Sequence, residues 1–108
     1  MAYKAVHRHA QIGARKVRRL ADLIRGQKAD KALEILKYEP HRGARMLEKV
    51  LRSAMANAED RRAQNLKKLT VIEARVDEGP FFKRMRPHAR GMASMFKKRT
   101  SHIHVALE

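Results

Sequence analysis

Two hydrophobic periods share this chain. Over residues 1–12 the alternation is weak but two-residue: Tyr3, Ala5, His7 and His9 fall on one face, Lys4, Val6, Arg8 and Ala10 on the other, as in a strand. Gly13 interrupts it. Over 14–25 the period becomes 3.6. Val17, Leu20, Ala21 and Ile24 form an apolar stripe, opposite Arg15, Arg18, Arg19, Asp22 and Arg25, and Gly26 stops the helix. A second helix is expected over 28–38, with Ala29, Ala32, Leu33 and Leu36 inward and Pro40 ending it. A third, over 42–62, lines Ala44, Leu47, Leu51, Ala54 and Ala58 along one side; the small residues of 53–58 allow close packing. Residues 69–77 alternate again, Thr70, Ile72, Ala74 and Val76 against Leu69, Val71, Glu73 and Arg75. In 100–107, Ile103, Val105 and Leu107 alternate with His102, His104 and Ala106. The last two strands can pair antiparallel. The expected class is α+β: three helices packed on a small three-stranded antiparallel sheet.

Between those last strands, residues 79–99 fit no element of a globule. These 21 positions hold seven basic residues, no acid, all three Phe and three of the six Met. So long a connection is functional or disordered, and disordered linkers are poor in large apolar side chains. Cations interleaved with Phe and Met suit phosphate contacts combined with stacking on bases. The segment is therefore expected to be a long protruding β-hairpin that turns at 87–91, where Gly91 can take positive φ. Each limb would reach roughly 33 Å at strand rise. The 108 residues form one domain, a globular body of 1–78 and 100–108 carrying the hairpin 79–99.

Charge sharpens this picture. The chain has 26 Lys and Arg against 11 Asp and Glu, a net +15. The excess is +6 over 1–25, +3 over 26–78 and +6 over 79–108, so it sits at the two ends. A merely solvated surface seldom stays so one-sided, because self-repulsion opposes compaction; a polyanionic partner is expected. No apolar run approaches the ~20 residues of a membrane span, and no secretory leader is evident. The lack of cysteine excludes disulfides and thiolate metal sites. An intracellular protein is expected.

The phosphate-contacting candidates are Arg8, Arg15, Lys16, Arg18, Arg19 and Arg25 on the body, and Lys83, Arg84, Arg86, Lys97, Lys98 and Arg99 on the arm. The arm cations need a nearby polyanion most, being crowded on a thin ribbon. His7 with His9 and His102 with His104 are two His-x-His pairs, each sharing a strand face. No Cys or carboxylate completes a tetrahedral set, and RNA-facing histidines explain them better than zinc; no metal or cofactor is expected. Gly-rich phosphate loops, nucleophile–base pairs and framed carboxylate pairs are missing, so no enzyme is expected. A free-standing DNA-binding or nucleoid-associated protein is the alternative. It would want a recognition helix, yet the second helix exposes the mixed set Asp30, Lys31, Glu34 and Lys37.

Several short motifs in one order carry a resemblance. They are Lys16-Val17-Arg18 with Ala21-Asp22-Leu23-Ile24-Arg25-Gly26, Ser53-Ala54-Met55-Ala56-Asn57-Ala58-Glu59, Val76-Asp77-Glu78-Gly79-Pro80, Lys83-Arg84, Pro87-His88-Ala89-Arg90-Gly91 and Lys98-Arg99-Thr100-Ser101-His102-Ile103. In these the chain resembles the large-subunit ribosomal protein L twenty-two family over nearly its whole length. The resemblance implies a structural constituent of the large ribosomal subunit that binds large-subunit (23S-type) rRNA and supports early assembly. It further implies that the hairpin lines the nascent-peptide exit tunnel, with His88, Ala89, Arg90, Gly91 and Met92 at the wall. There it would meet the nascent peptide and a neighbouring protein of the L four family; the resemblance also implies a cytoplasmic protein, in the large ribosomal subunit, that is not a homo-oligomer. The chain departs from the family pattern at the tip, where Met92, Ser94 and Met95 stand in place of a basic residue just after Gly91 and a charged one a few positions on.

Overall fold

The computed structural model describes residues 2–62 and 68–108. In order, the elements are strand β1 (Tyr3–Ala10), helices α1 (Ala14–Ile24), α2 (Ala29–Tyr38) and α3 (Arg42–Asp60), and strands β2 (Val71–Pro87) and β3 (Ala93–Leu107). A 3-10 turn, Ala89–Gly91, joins the last two. The sheet is antiparallel in the order β1-β3-β2, and the class is α+β as expected. The expected start of β1 at Met1 lies outside the described residues.

The helices form where the 3.6 period puts apolar residues together. Val17, Leu20, Ala21 and Ile24 of α1, and Ala44, Leu47, Leu51, Ala54 and Ala58 of α3, are all buried. With Leu36 of α2 and Val71, Val76, Ile103, Val105 and Leu107 of the sheet they make one core. Burying each Val, Leu or Ile among these contributes about 1.5–3 kcal/mol, and each Ala less. Gly26, at φ 84°, turns the chain after α1, a conformation that costs a β-carbon-bearing residue more. The Arg45 guanidinium donates to the carbonyls of Leu36, Lys37 (3.2 Å) and Glu39 (2.8 Å), satisfying the C-terminal end of α2. Glu48 is buried, but Arg45 (3.1 Å) and Arg52 (2.7 Å) compensate its charge.

Strand faces depart from simple alternation at three bulges. Each places its extra residue on a flanking strand, leaving central β3 regular. Between His7 and Ala10 the shift brings Ala10, not His9, to the core face, and His9 takes φ 57°. Between Val71 and Glu73 it turns Ile72 outward, 47% exposed, while Val71 joins Ala74 and Val76 inside. The expected grouping of Ile72 with Ala74 and Val76 is thus corrected: one extra residue reverses the parity of everything before it. The third bulge, between Glu78 and Phe81, does the same for the arm.

Helix side chains cover both free edges of the sheet body. Arg18 Nε donates to Val76 O (2.9 Å), Arg25 to Ala74 O, and Asn57 Nδ2 to Lys4 O (2.8 Å). These bonds occupy the outward carbonyls that would otherwise accept a foreign strand.

Candidate nucleic-acid interface

β2 and β3 continue past the body as a two-stranded ribbon, paired from Phe81 opposite Arg99 to Pro87 opposite Ala93. Every residue from Pro80 to Arg99 is exposed. The chain measures 63 × 24 × 17 Å with a radius of gyration of 16.8 Å, against about 13 Å for a compact chain of about 100 residues. At the tip Arg90 (φ 65°) and Gly91 (φ 71°) are both left-handed, and the His88 imidazole bonds the Ser94 hydroxyl. Sequence reasoning expected positive φ at Gly91 but not at Arg90.

The ribbon has two chemically distinct faces, since directly paired residues share one. The face continuous with the helix-covered side of β3 carries Phe81 and Arg99, Lys83 and Lys97, then Met85 and Met95. The other carries Phe82 and Lys98, Arg84 and Phe96, then Arg86 and Ser94. Cations lie over rings on both: Arg84 at 5.5 Å from the Phe82 centroid, Arg86 at 4.6 Å from Phe96 and Lys97 at 4.6 Å from Phe81. Each such pair holds a cation in place without neutralising it. Lys83 directly opposite Lys97 is a like-charge pair, unfavourable in the free protein.

At the root of the arm the first turns of α1 face the roots of β2 and β3 across a groove of about 880 Å³. Arg15, Lys16, Arg18, Arg19 and Arg99 line it together with Phe81. A smaller hollow of about 430 Å³ beside it brings Lys16 and Arg19 to His41 and Arg42, at the start of α3. The expected body cations are therefore not equivalent. Arg15 and Lys16 are exposed and free of partners among the described residues. Arg19 touches His41 at 3.5 Å. Arg18 and Arg25 spend donors on β2 carbonyls, Arg25 also pairing with Asp22 at 2.8 Å. Arg8 is exposed within the β1 bulge and lies outside the groove, as does Arg25.

The histidines do not gather into one cluster. His9 donates its backbone N–H to His102 Nδ1 (3.1 Å), with the rings edge-on at 5.0 Å. His7 lies opposite Ile103, and His104 Nε2 sits 3.4 Å from Asp77. Among the described residues no group of three or more His, Cys, Asp or Glu is placed to hold a metal ion. Burial, and secondarily the Arg75 guanidinium, holds His104 below the ordinary imidazole value, with Asp77 and Glu73 pulling the other way. Among the described residues no helix is long and apolar enough to cross a membrane.

Residues 5–108 match the family described as ribosomal protein L22p/L17e. The chain belongs to the L22 family of ribosomal proteins. Its relatives include proteins named large ribosomal subunit protein uL22 from three bacteria. That of Rhodopirellula baltica is 54% identical over 97% of this chain and 92% of its own. That of Caldicellulosiruptor saccharolyticus is 50% identical, covering 96% and 85%. That of Akkermansia muciniphila is 47% identical, covering 99% and 96%. L22 proteins are structural and non-enzymatic, and belong to a subunit that is cytoplasmic in bacteria. Two features of this L22 member escaped sequence reasoning. Phe81 and Glu78 line the groove beside the cations, and His41 with Arg42 extends it. The Gly79-Pro80 step, where strand alternation fails, was the available signal for the first; the second had only Pro40 before it.

Proposed function

We propose that this chain is a structural constituent of the large ribosomal subunit that binds 23S-type rRNA through two cationic surfaces and aids subunit assembly. The observation that carries the reading is the arm: residues 80–99 hold seven cations and no acid, and none of them is covered by the body. A ribbon with no core of its own, and with lysines opposed across it, gains most from a partner that supplies phosphates on both faces. The division into a body of 1–78 and 100–108 and an arm of 79–99 is accordingly functional as well as geometric. The body cations Arg8, Arg15, Lys16, Arg18, Arg19 and Arg25 seat the globule on rRNA, Arg18 and Arg25 through the donors their carbonyl bonds leave free. Lys83, Arg84, Arg86, Lys97, Lys98 and Arg99 bind rRNA along the arm. Residues His88, Ala89, Arg90, Gly91 and Met92 at the tip line the nascent-peptide exit tunnel, near a protein of the L four family. Family membership favours this reading over a free-standing nucleoid protein.

Position-specific crosslinking tests it. A photoreactive residue replacing Arg90 in translating particles should capture nascent peptide, and the same probe replacing Arg84 should capture rRNA alone. Loss of that contrast, or absence of the chain from washed large subunits, would overturn the reading.

A further inference from the structure

The groove between α1 and the root of the arm is chemically more varied than a phosphate track needs to be. Arg15, Lys16, Arg19 and Arg99 line it as exposed cations. Phe81, 49% exposed, belongs to no core, and the bulge between Glu78 and Phe81 brings it to the helix side of the ribbon. Lys97 lies against its ring at 4.6 Å from the centroid. Glu78 lines the same groove and enters no ion pair among the described residues. Glu48, by contrast, engages two arginines and Asp22 one. Arg15, Lys16 and Arg99 are likewise without a partner among the described residues. Cations, an aromatic ring and a free carboxylate thus line one space of about 880 Å³, within the ~300–1,000 Å³ of sites that enclose small ligands.

We propose that this groove receives a single unpaired nucleotide of RNA and prefers guanine. Its flanking phosphates lie on Arg15, Lys16, Arg19 and Arg99. Its base stacks on Phe81, and its Watson–Crick edge donates to the Glu78 carboxylate. The inference rests on the rRNA-binding reading and adds to it a strand geometry and a base. Paired bases cannot reach an aromatic ring, whereas a splayed base offers its π-face and its edge together. A groove for phosphate alone gains nothing from Phe81 and is opposed by Glu78. Guanine presents N1–H and N2–H side by side, matching the two oxygens of a carboxylate acceptor. Adenine and cytosine present one exocyclic amine, and uracil sets its single N–H between two carbonyls that a carboxylate repels.

The test uses the full chain and labelled hexamer RNAs: U-only, the same strand with one central G, and a duplex of equal length. Fluorescence anisotropy at fixed salt reads binding, and circular dichroism reads folding. The wild type should favour the G-containing strand over the U-only strand several-fold. Phe81→Leu should weaken single-strand binding about ten-fold, with duplex binding unchanged. Phe81→Tyr should retain affinity, and Glu78→Gln should reduce the preference for G. Equal binding of both single strands by the wild type, or an equal effect of Phe81→Leu on duplex and single strand, would overturn the proposal. If the leucine variant fails to fold, Glu78→Gln and Phe81→Tyr still decide: an unchanged G preference in Glu78→Gln, or lost affinity in Phe81→Tyr, contradicts it. Salt-dependent rRNA binding that survives with no G preference sinks the groove proposal alone. Loss of all rRNA binding by the wild type sinks the wider reading instead.

Discussion

The same two strands behave in opposite ways over their two halves. In the body, β2 and β3 bury Val71, Ala74, Val76, Ile103, Val105 and Leu107 against helices. In the arm they run on as an unbroken antiparallel pair from Phe81 to Ala93, and nothing is covered. Backbone pairing is common to both; packing is not. A two-stranded ribbon without a core is marginal in water, so the ladder alone gives the free arm little stability. The difference teaches that body and arm are held by different things: the body by its apolar core, the arm by its backbone ladder and its anchorage at the root alone.

The sharpest way to break this comparison is to remove one half. Replacing residues 82–98 with Asn-Gly closes Phe81 and Arg99 with a two-residue hairpin turn. The melting transition should stay cooperative and move little. Binding to rRNA fragments should weaken by orders of magnitude, and the salt slope should fall by about 3.5 to 4.5 for the loss of Lys83, Arg84, Arg86, Lys97 and Lys98. A collapsed melt would mean that the arm is part of the folded core. Replacing only Lys83, Arg84 and Arg86 with Ala should lower the slope by about 2 to 3; an unchanged slope would show that these three face solvent.

Next in size is a change on the body side. Leu51→Ala should cost about 2–5 kcal/mol in urea unfolding, whereas Met85→Ala should stay within about 0.5 kcal/mol. Comparable losses would erase the distinction. At the junction, a β-carbon on Gly79 would stand 2.6 Å from Thr100 Oγ1, whose hydroxyl donates to Pro80 O and ties down the root. Gly79→Ala should therefore cost about 1–3 kcal/mol, read in the same titration.

The smallest effect concerns pH. His104 is held below 6.5 in the folded chain, chiefly by burial, so the unfolded chain binds more protons as pH falls past that value. Its contribution is complete above about 6.5 and is lost as pH drops to the lowered folded value. The urea midpoint should fall modestly between pH 7.5 and 5.5, and His104→Gln should flatten that decline. A steeper decline in the variant would contradict the assignment.

Much of this was legible in the sequence. The stripes Val17-Leu20-Ala21-Ile24 and Ala44-Leu47-Leu51-Ala54-Ala58 are buried as their period demands. The pairing of β2 with β3 and the protruding hairpin follow from alternation and from the composition of 79–99. What escaped was register. Alternation locates a strand but not an extra residue within it, so Ile72 and His9 were assigned to the wrong faces. Long cations also escaped. Arg18 and Arg25 lie on the polar side of α1, yet guanidiniums reach past the helix to carbonyls of β2. The groove joins residues about 60 to 85 positions apart in sequence, which no local period reveals.

Amide hydrogen exchange on the full chain, free and bound to its rRNA, tests the central claim most directly. In the free protein, amides of 81–99 should exchange far faster than those of α1, α3 and the lower halves of β2 and β3. Bound to rRNA, the arm should become protected while the body changes little. An arm as protected as the body when free, or one left unprotected in the complex, would contradict the claim that RNA rather than a core of its own holds it in place.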